Sequence, residues 1–407
     1  MKILMVNKFL YPKGGSETYI LKIGSYLKEQ GHEVQYFGME HKDRSVGNRV
    51  NAYTANMDFH GGSPWSKLAY PIQTIYSREA RKKIRMVLED MKPDVVHLNN
   101  INFQLTPSIL YEISRSNTPM VQTVHDCQIT CPSHRMYIEQ SGRVCDECVA
   151  SGNYMRCVTN RCIGNSLLKS AIAATESYYY HVRNTYNLVD AYICPSYYMS
   201  DILHKGGVQK KRIQVIHNPV DYSRDGLLSP EEPYVLYFGR FSAEKGLNTL
   251  LSVAQRLPDV KFVLAGSGPM ADGWKLPANV QNVGFQSGES LKRWIEQAAF
   301  TVHPSECYEN CPFTILESQA LGTPVIGSRM GGIPELIEEG QTGLTFPAGN
   351  ADALTQAISS LWEDQIKLEQ MRNACLQNRP ISMGIYTERL MNIYRDIGRR
   401  HAGASSF

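Results

Sequence analysis

The sequence lacks any apolar run approaching the roughly 18 residues that a membrane helix needs. It also lacks a signal-peptide core. Met1-Lys2-Ile3-Leu4-Met5-Val6-Asn7-Lys8 breaks off well short of the ~7–15 apolar residues of such a segment. The expectation is a soluble, cytoplasmic chain, with any membrane contact peripheral. An excess of one charge is missing too: 42 Lys and Arg stand against 39 Asp and Glu, a formal net charge of +3. So small a surplus gives no general attraction to nucleic acid. The remainder, 43% hydrophobic and 20% charged over 407 residues, is ordinary for two or three globular domains.

What is present reads as alternating strands and helices. Lys2 to Val6 is an apolar strand, followed by a loop with Gly14-Gly15, a helix over Glu17 to Gln30, and a strand over Val34 to Phe37. That βαβ opening implies a parallel sheet with helices on its faces. Asp94–Asn99 and Met120–Asp126 read as further strands, which carry His97 and His125 at their C-terminal ends, where open α/β sheets place ligands. The pattern restarts with a strand at Tyr234–Phe238, a loop Gly239–Gly246 and a helix from Leu247. The expected domains are 1–222 and 223–384, with Ser223–Pro233 as linker, and a last helix in 385–407 whose tail from His401 is disordered.

One stretch, Glu309-Asn-Cys-Pro-Phe-Thr-Ile-Leu-Glu317, sets two carboxylates eight positions apart. Asn310 and Pro312 look like a helix start, which predicts a helix over Phe313–Leu321. Glu309 then lies just before the helix and Glu317 about one turn in. Helical side chains lean toward the N-terminus, so both face one spot beside free N–H groups. Such a spot suits phosphate on the helix and sugar hydroxyls on the carboxylates. Upstream, Arg240 offers a planar fork of donors and Lys245 a point charge, both suited to a diphosphate.

With its flanks Ala299–Ser305, Thr323–Gly327 and Gly331-Gly332-Ile333-Pro334-Glu335, this stretch resembles the signature of family-four (group 1) retaining glycosyltransferases. The resemblance implies the α/β GT-B fold: two Rossmann-like doubly wound parallel-sheet domains facing a central cleft, a Cys-rich insertion at 127–162 in the first, and a last helix returning to that first domain. It implies transfer of a hexose-type unit from a nucleoside diphosphate sugar, a UDP-sugar, to a glycan or lipid-linked acceptor in surface polysaccharide or O-antigen assembly. Arg240 and Lys245 meet the leaving diphosphate, so catalysis requires no metal cofactor. Glu309 takes the donor sugar hydroxyls and Glu317 the ribose. His125 contacts the transferred sugar, and Gly14 and Gly15 reach the diphosphate and the acceptor. Gly266 and Phe285 lie by the nucleobase. Asn310, Cys311, Pro312 and Phe313 complete the donor site, and residues 41–77 face the acceptor. A sugar-nucleotide epimerase and a non-catalytic nucleotide-sugar-binding protein are the alternatives.

Two features stand apart from that scheme. Six of the ten cysteines fall between Cys127 and Cys162. Cys145-x2-Cys148 is metal-knuckle spacing, and structural zinc takes four ligands. Buried reduced thiols and a redox role are the other readings. Resemblance to a subset of the family picks Cys131, Cys145, Cys148 and Cys162, with Cys127 and Cys157 as substitutes. The other feature is a basic helix over Ser77–Met91 with Arg78, Arg81, Lys82, Lys83 and Arg85. It reads either as a solvated face or as a peripheral contact with anionic membrane, worth about 1 kcal/mol per basic residue.

Overall fold

The structure, a computed structural model, describes residues 1–56, 73–222 and 232–404. The chain forms two compact units, Met1–His217 with the stretch from Met383 onward, and Asn218–Ser382. The short Val-, Ile- and Leu-rich runs seen in the sequence become strands, and the inner ones are buried on both faces, as parallel sheets require.

In the first unit the strands are β1 (Lys2–Val6), β2 (Glu33–Phe37), β3 (Val95–Leu98), β4 (Met120–Thr123), β5 (Tyr137–Ile138), β6 (Arg143–Val144), β7 (Ala191–Cys194) and β8 (Ile213–Val215). Six make one sheet in the order β2-β1-β3-β4-β7-β8, parallel throughout. β5 and β6 form a small antiparallel hairpin inside the cysteine-rich stretch. From β1 the chain first builds outward to β2, then returns to lay β3 on the other side. The loops after β1 and β3 therefore part company at the C-terminal edge, which is the topological switch point.

The second unit repeats this plan with β9 (Val235–Arg240), β10 (Phe262–Ser267), β11 (Val280–Gly284), β12 (Phe300–His303), β13 (Val325–Ser328) and β14 (Gly343–Phe346). Its order is β11-β10-β9-β12-β13-β14, again parallel throughout. Here the switch point lies between β9 and β12. One core under the sheet joins Tyr237, Phe241, Leu250, Phe262, Phe300 and Phe346.

Several boundaries differ from the sequence expectation. The chain leaves the first unit after His217, not 222, because Asn218 belongs to the second. Its side-chain N–H donates to the Cys311 carbonyl at 2.9 Å and its backbone N–H to Cys311 Sγ at 3.4 Å. The return comes at Met383, where a helix Met383–Ala404 begins. That helix is part of the first unit, with Tyr386, Leu390, Tyr394 and Ile397 buried. The tail expected to be disordered from His401 continues the helix to Ala404, and His401 Nε2 lies 2.9 Å from Asp190 Oδ1. Residues 57–72, the middle of the 41–77 stretch expected to face the acceptor, and 223–231, most of the expected linker, lie outside the described residues.

Candidate active site

The two sequence signals of the second unit meet at its switch point. Gly246 closes the loop after β9 with φ 73°, and a Cβ there would collide with the Pro304 carbonyl. Only glycine allows both the backbone angle and the approach. The Glu306 N–H donates to the Glu244 carbonyl at 2.8 Å, lacing the same two loops. Across this seam Lys245 Nζ lies 2.5 Å from Glu309 Oε1. Ser305 Oγ donates to the same oxygen at 2.9 Å, and His303 Nε2 stands at 3.7 Å. Behind Glu309, the Gly332 N–H donates to its carbonyl at 2.8 Å, and Gly331, at φ 61°, has no room for a side chain there. Burial works against ionisation of Glu309, but Lys245 and His303 overcome it and hold the carboxyl well below the usual carboxylate range. Lys245 is likewise penalised by burial, and the Glu309 charge carries its pKa upward in spite of that. The pair is thus a fixed cation and anion at neutral pH. Arg240 ends β9 exposed, and no ion pair or hydrogen bond engages its guanidinium among the described residues.

Next to this pair the helix Phe313–Ala320 begins. Pro312 is its N-cap and contributes no side-chain hydrogen bond, so Asn310 is not the cap that the sequence suggested. The backbone at Pro312 is extended, with ψ 125°, and the first helical turn starts only afterwards. Pro312 itself therefore offers the leading N–H groups of the helix no side-chain acceptor. Glu317 is half-buried on this helix, and its charge reaches Tyr222, whose phenol is pushed up first by burial. Cys311 is buried against Asn218, so its side chain has a packing role. At Gly266 a Cβ would strike the Gly239 carbonyl, which makes this glycine a requirement of β9 and β10 lying close. Phe285 follows β11 and is 72% exposed. Ser305 and His303, which hold Glu309, have no assigned role in the sequence pattern. The available signal was their place, polar residues at the C-terminal end of a parallel strand.

The first unit gathers His125, Gly14 and Gly15 at its own switch edge. His125 Nε2 donates to Asn99 Oδ1 at 2.8 Å. The Asn99 amide nitrogen donates to the carbonyls of Val6 and His97, so its oxygen must accept, which places the His125 proton on Nε2. Burial lowers the His125 pKa to about 3, so the ring is neutral at physiological pH. His97 is spoken for at both nitrogens, by Tyr394 OH at 2.6 Å and Thr123 Oγ1 at 2.8 Å, and serves the core. Gly14 caps the helix Gly15–Glu29 without a side chain, and a Cβ on it would stand 3.3 Å from Glu17 Oε2. Glu17 itself is buried and accepts from Asn7 Nδ2 at 3.1 Å and Ser16 Oγ at 3.0 Å.

Five of the six clustered cysteines, Cys131, Cys145, Cys148, Cys157 and Cys162, border one cavity of about 10 Å³, roughly the room one water needs. Cys127 lies outside it, with its N–H on the His134 carbonyl. A hydrogen bond joins the Cys157 and Cys162 thiols, and burial pushes Cys148 up to about 12. Among the described residues no three Cys, His, Asp or Glu are grouped so as to hold a metal ion. The basic helix, Arg78–Met91, differs from its expectation in a definite way. Arg81 and Arg85 are bound to Glu112, which is 4% exposed and also takes Arg115. Only Arg78, Lys82 and Lys83 remain for an outside partner. No described helix is long and apolar enough to cross a membrane.

Comparison with known proteins gives this geometry a family. The model described as Glycosyltransferase Family 4 matches residues 13–224, and that described as Glycosyl transferases group 1 matches 221–377. The alpha-D-kanosaminyltransferase of Streptomyces kanamyceticus is 32% identical over 41% of this chain and 47% of its own. The sulfoquinovosyl transferase of Arabidopsis thaliana is 33% identical over 33% of this chain and 28% of its own, so these two alignments span less than half of the relatives' lengths. A GDP-mannose-dependent alpha-mannosyltransferase of Corynebacterium glutamicum aligns over 84% of this chain and 75% of its own at 24% identity. Among solved structures, Anabaena HepE in complex with UDP superposes with a TM-score of 0.68 at 17% identity, covering 97% of this chain and 100% of that one. Its parallel α/β units have the fold of those enzymes, and this chain belongs to Glycosyltransferase Family 4.

Proposed function

We propose that the protein transfers a hexose-type sugar from a nucleoside diphosphate donor, a UDP-sugar, to a glycan or lipid-linked acceptor with retention at the anomeric carbon. The observation that carries this reading is the fixed Lys245–Glu309 pair at the switch point of the second unit, with exposed Arg240 on the adjoining loop. Lys245 and Arg240 are the cations for a departing diphosphate, and the first turn of the Phe313–Ala320 helix adds N–H groups of the same polarity. Glu309, held ionised, has its second oxygen for sugar hydroxyls. Glu317 suits a ribose, because a carboxylate accepts two adjacent hydroxyls. Support for a uridine donor comes from the UDP and UDP-glucose bound to HepE. A place in surface polysaccharide assembly draws on an uncharacterized relative named for the cps region of Klebsiella pneumoniae, 23% identical over 83% of this chain.

The cysteine cluster belongs to the same proposal as a structural element. Thiols in the number and kind that zinc prefers share one ion-sized cavity. Cys131, Cys145, Cys148 and Cys162 would hold the ion, and its part would be to fix the segment that follows His125.

Thermal stabilisation by a panel of nucleotides tests the donor site, because a ligand at 100 times its Kd adds about 2.7 kcal/mol. UDP is expected to raise the melting temperature of the native chain, and Lys245→Ala with Arg240→Ala to abolish that rise. A rise retained in the double variant moves the diphosphate elsewhere. Product analysis with donor alone separates transfer from epimerisation.

A further inference from the structure

Among the described residues the most deeply buried carboxylate is Glu176, 1% exposed on the helix Leu167–Val182. No ion pair reaches it among those residues. Its Oε1 accepts from Asn102 Nδ2 at 3.2 Å, and the Phe103 N–H also donates to the carboxylate. Its Oε2 has no hydrogen-bond partner, and neither has Asn102 Oδ1, although Asn102 is fully buried. The second hydrogen on Asn102 Nδ2 goes to Tyr186 OH at 3.2 Å. Two unanswered acceptors on one hydrogen-bonded pair, both away from water, are expensive. One proton on Glu176 settles both: it removes the charge and supplies a hydrogen for the Asn102 oxygen.

What this pair supports is the loop after β3. Ile101 and Asn102 donate their backbone N–H groups to Gln128 Oε1, each at 3.3 Å. Gln128 Nε2 in turn donates to Asn100 Oδ1 at 3.0 Å and to the Asn99 carbonyl. Asn99 is the residue that accepts from His125. Phe103 and Thr106 sit at φ 70° and 63°, left-handed values that non-glycine residues keep only when their surroundings hold them. Glu176 holds the same loop through the Asn102 side chain and the Phe103 N–H, while Gln128 holds its backbone at Ile101 and Asn102.

We propose that Glu176 is a positioning residue that carries its proton in the working protein, pairing as a neutral acid with Asn102 so that the loop after β3 keeps Asn99 aligned on His125. Ionisation breaks the pair and loosens that alignment. Burial pushes the Glu176 pKa up to about 8, against the Asn102 and Phe103 hydrogen bonds and the charge of Lys8, which pull it down. The other titratable groups facing it are Tyr186, across from the helix, and Tyr180 on the helix itself, both with pKa values raised by burial and by Glu176. A raised carboxyl pKa makes the native state bind the extra proton. Stability is therefore full below about pH 4.5 and declines as pH rises toward about 8. A Glu176→Gln chain has no proton to lose and keeps an amide on the Asn102 oxygen.

The role for His125 rests on the functional reading above, but the test needs no sugar transfer. Infrared difference spectra should show a protonated carboxyl that disappears with a midpoint near pH 8 in the native chain and is missing in Glu176→Gln. In histidine-labelled protein the His125 ring nitrogen signals should move with that same midpoint in the native chain and stay fixed in the variant. Thermal melting of Glu176→Gln should lose the native decline between about pH 5 and 8. If the carboxyl band is absent at neutral pH, or the His125 signals ignore the titration, the proposal is overturned. The native spectra decide even where the variant does not fold. Failure of UDP binding would leave these readouts untouched, so the two ideas fall separately.

Discussion

Glu309 shows how much of this chain's chemistry turns on single atoms. One oxygen faces Lys245, Ser305 and His303, while the loop behind it is pinned by Gly331 and Gly332. Removing the cation leaves the anion buried, and breaking such a pair costs on the order of 3 kcal/mol. We expect Lys245→Met to destabilise the chain by about that much and Lys245→Met with Glu309→Gln to recover most of it. A double-mutant cycle by denaturant unfolding measures the coupling. A double-variant loss equal to the sum of the separate Lys245→Met and Glu309→Gln losses would mean that the two side chains do not sense each other. The sign with pH follows from the depressed Glu309 carboxyl: its contribution is present above about pH 4.5 and fades as acid protonates it. The sequence announced these residues by type and spacing, because a carboxylate pair and an Arg–Lys loop are conspicuous. It did not announce their partners. Lys245 meets Glu309 only because β12 ends beside the loop after β9, a fact of topology. Gly266 carries a second requirement that the sequence did not state: the neighbour that forbids a side chain there is the Gly239 carbonyl.

At the scale of elements, strands and helices were legible almost throughout, since runs of Val, Ile and Leu bounded by glycine state a parallel sheet plainly. The helix starting at Phe313 was read correctly, and its cap was not, because the cap position falls on Pro312, two residues after Asn310. Charge on an element was harder still. Five basic residues on Arg78–Met91 looked like a free cationic face, but Glu112 comes from the separate helix Ile109–Arg115 and binds two of them. Nothing in the spacing along the basic helix could show an anion arriving from elsewhere. The cysteine segment poses the same question with a sharper answer available. Five thiols border one small cavity without three of them meeting at a point. Zinc would require deprotonated thiols, whereas burial favours the neutral form of Cys145 and Cys148, so at those two the metal and the cavity compete. Elemental analysis of the purified native chain is expected to find about one zinc per molecule, as one tetrahedral site holds one ion. A strong chelator should then lower the melting temperature and expose thiols to a titrant. A metal-free chain with unmoved melting would identify the cluster as packed, reduced cysteines.

On the scale of the whole molecule, the order of the chain is not the order of its units. Residues from Met383 onward are made last and belong to the unit made first. That return is bought with buried aromatic and aliphatic surface: Tyr386, Leu390, Tyr394 and Ile397 are each at most 2% exposed. Burying side chains of this size is worth about 1.5–3 kcal/mol apiece, comparable in sum to a domain's entire stability. Polar anchors fix the register as well. Tyr386 OH lies 2.6 Å from Tyr19 OH, and Tyr394 OH lies 2.6 Å from His97 Nδ1. His97 meets Thr123, the last residue of β4, two positions before His125. A stop after Ser382 therefore strips the first unit while leaving the second unit's sequence whole. Limited proteolysis of such a chain should degrade residues 1–217 quickly and leave a resistant fragment spanning 218–382. The milder Tyr394→Phe removes one hydroxyl and leaves His97 Nδ1 unanswered in the core, at a cost of about 1–3 kcal/mol. If both variants melt like the native chain, with residues 1–217 still protected, the final helix is an ornament on the first unit and the partition at Met383 has no energetic meaning.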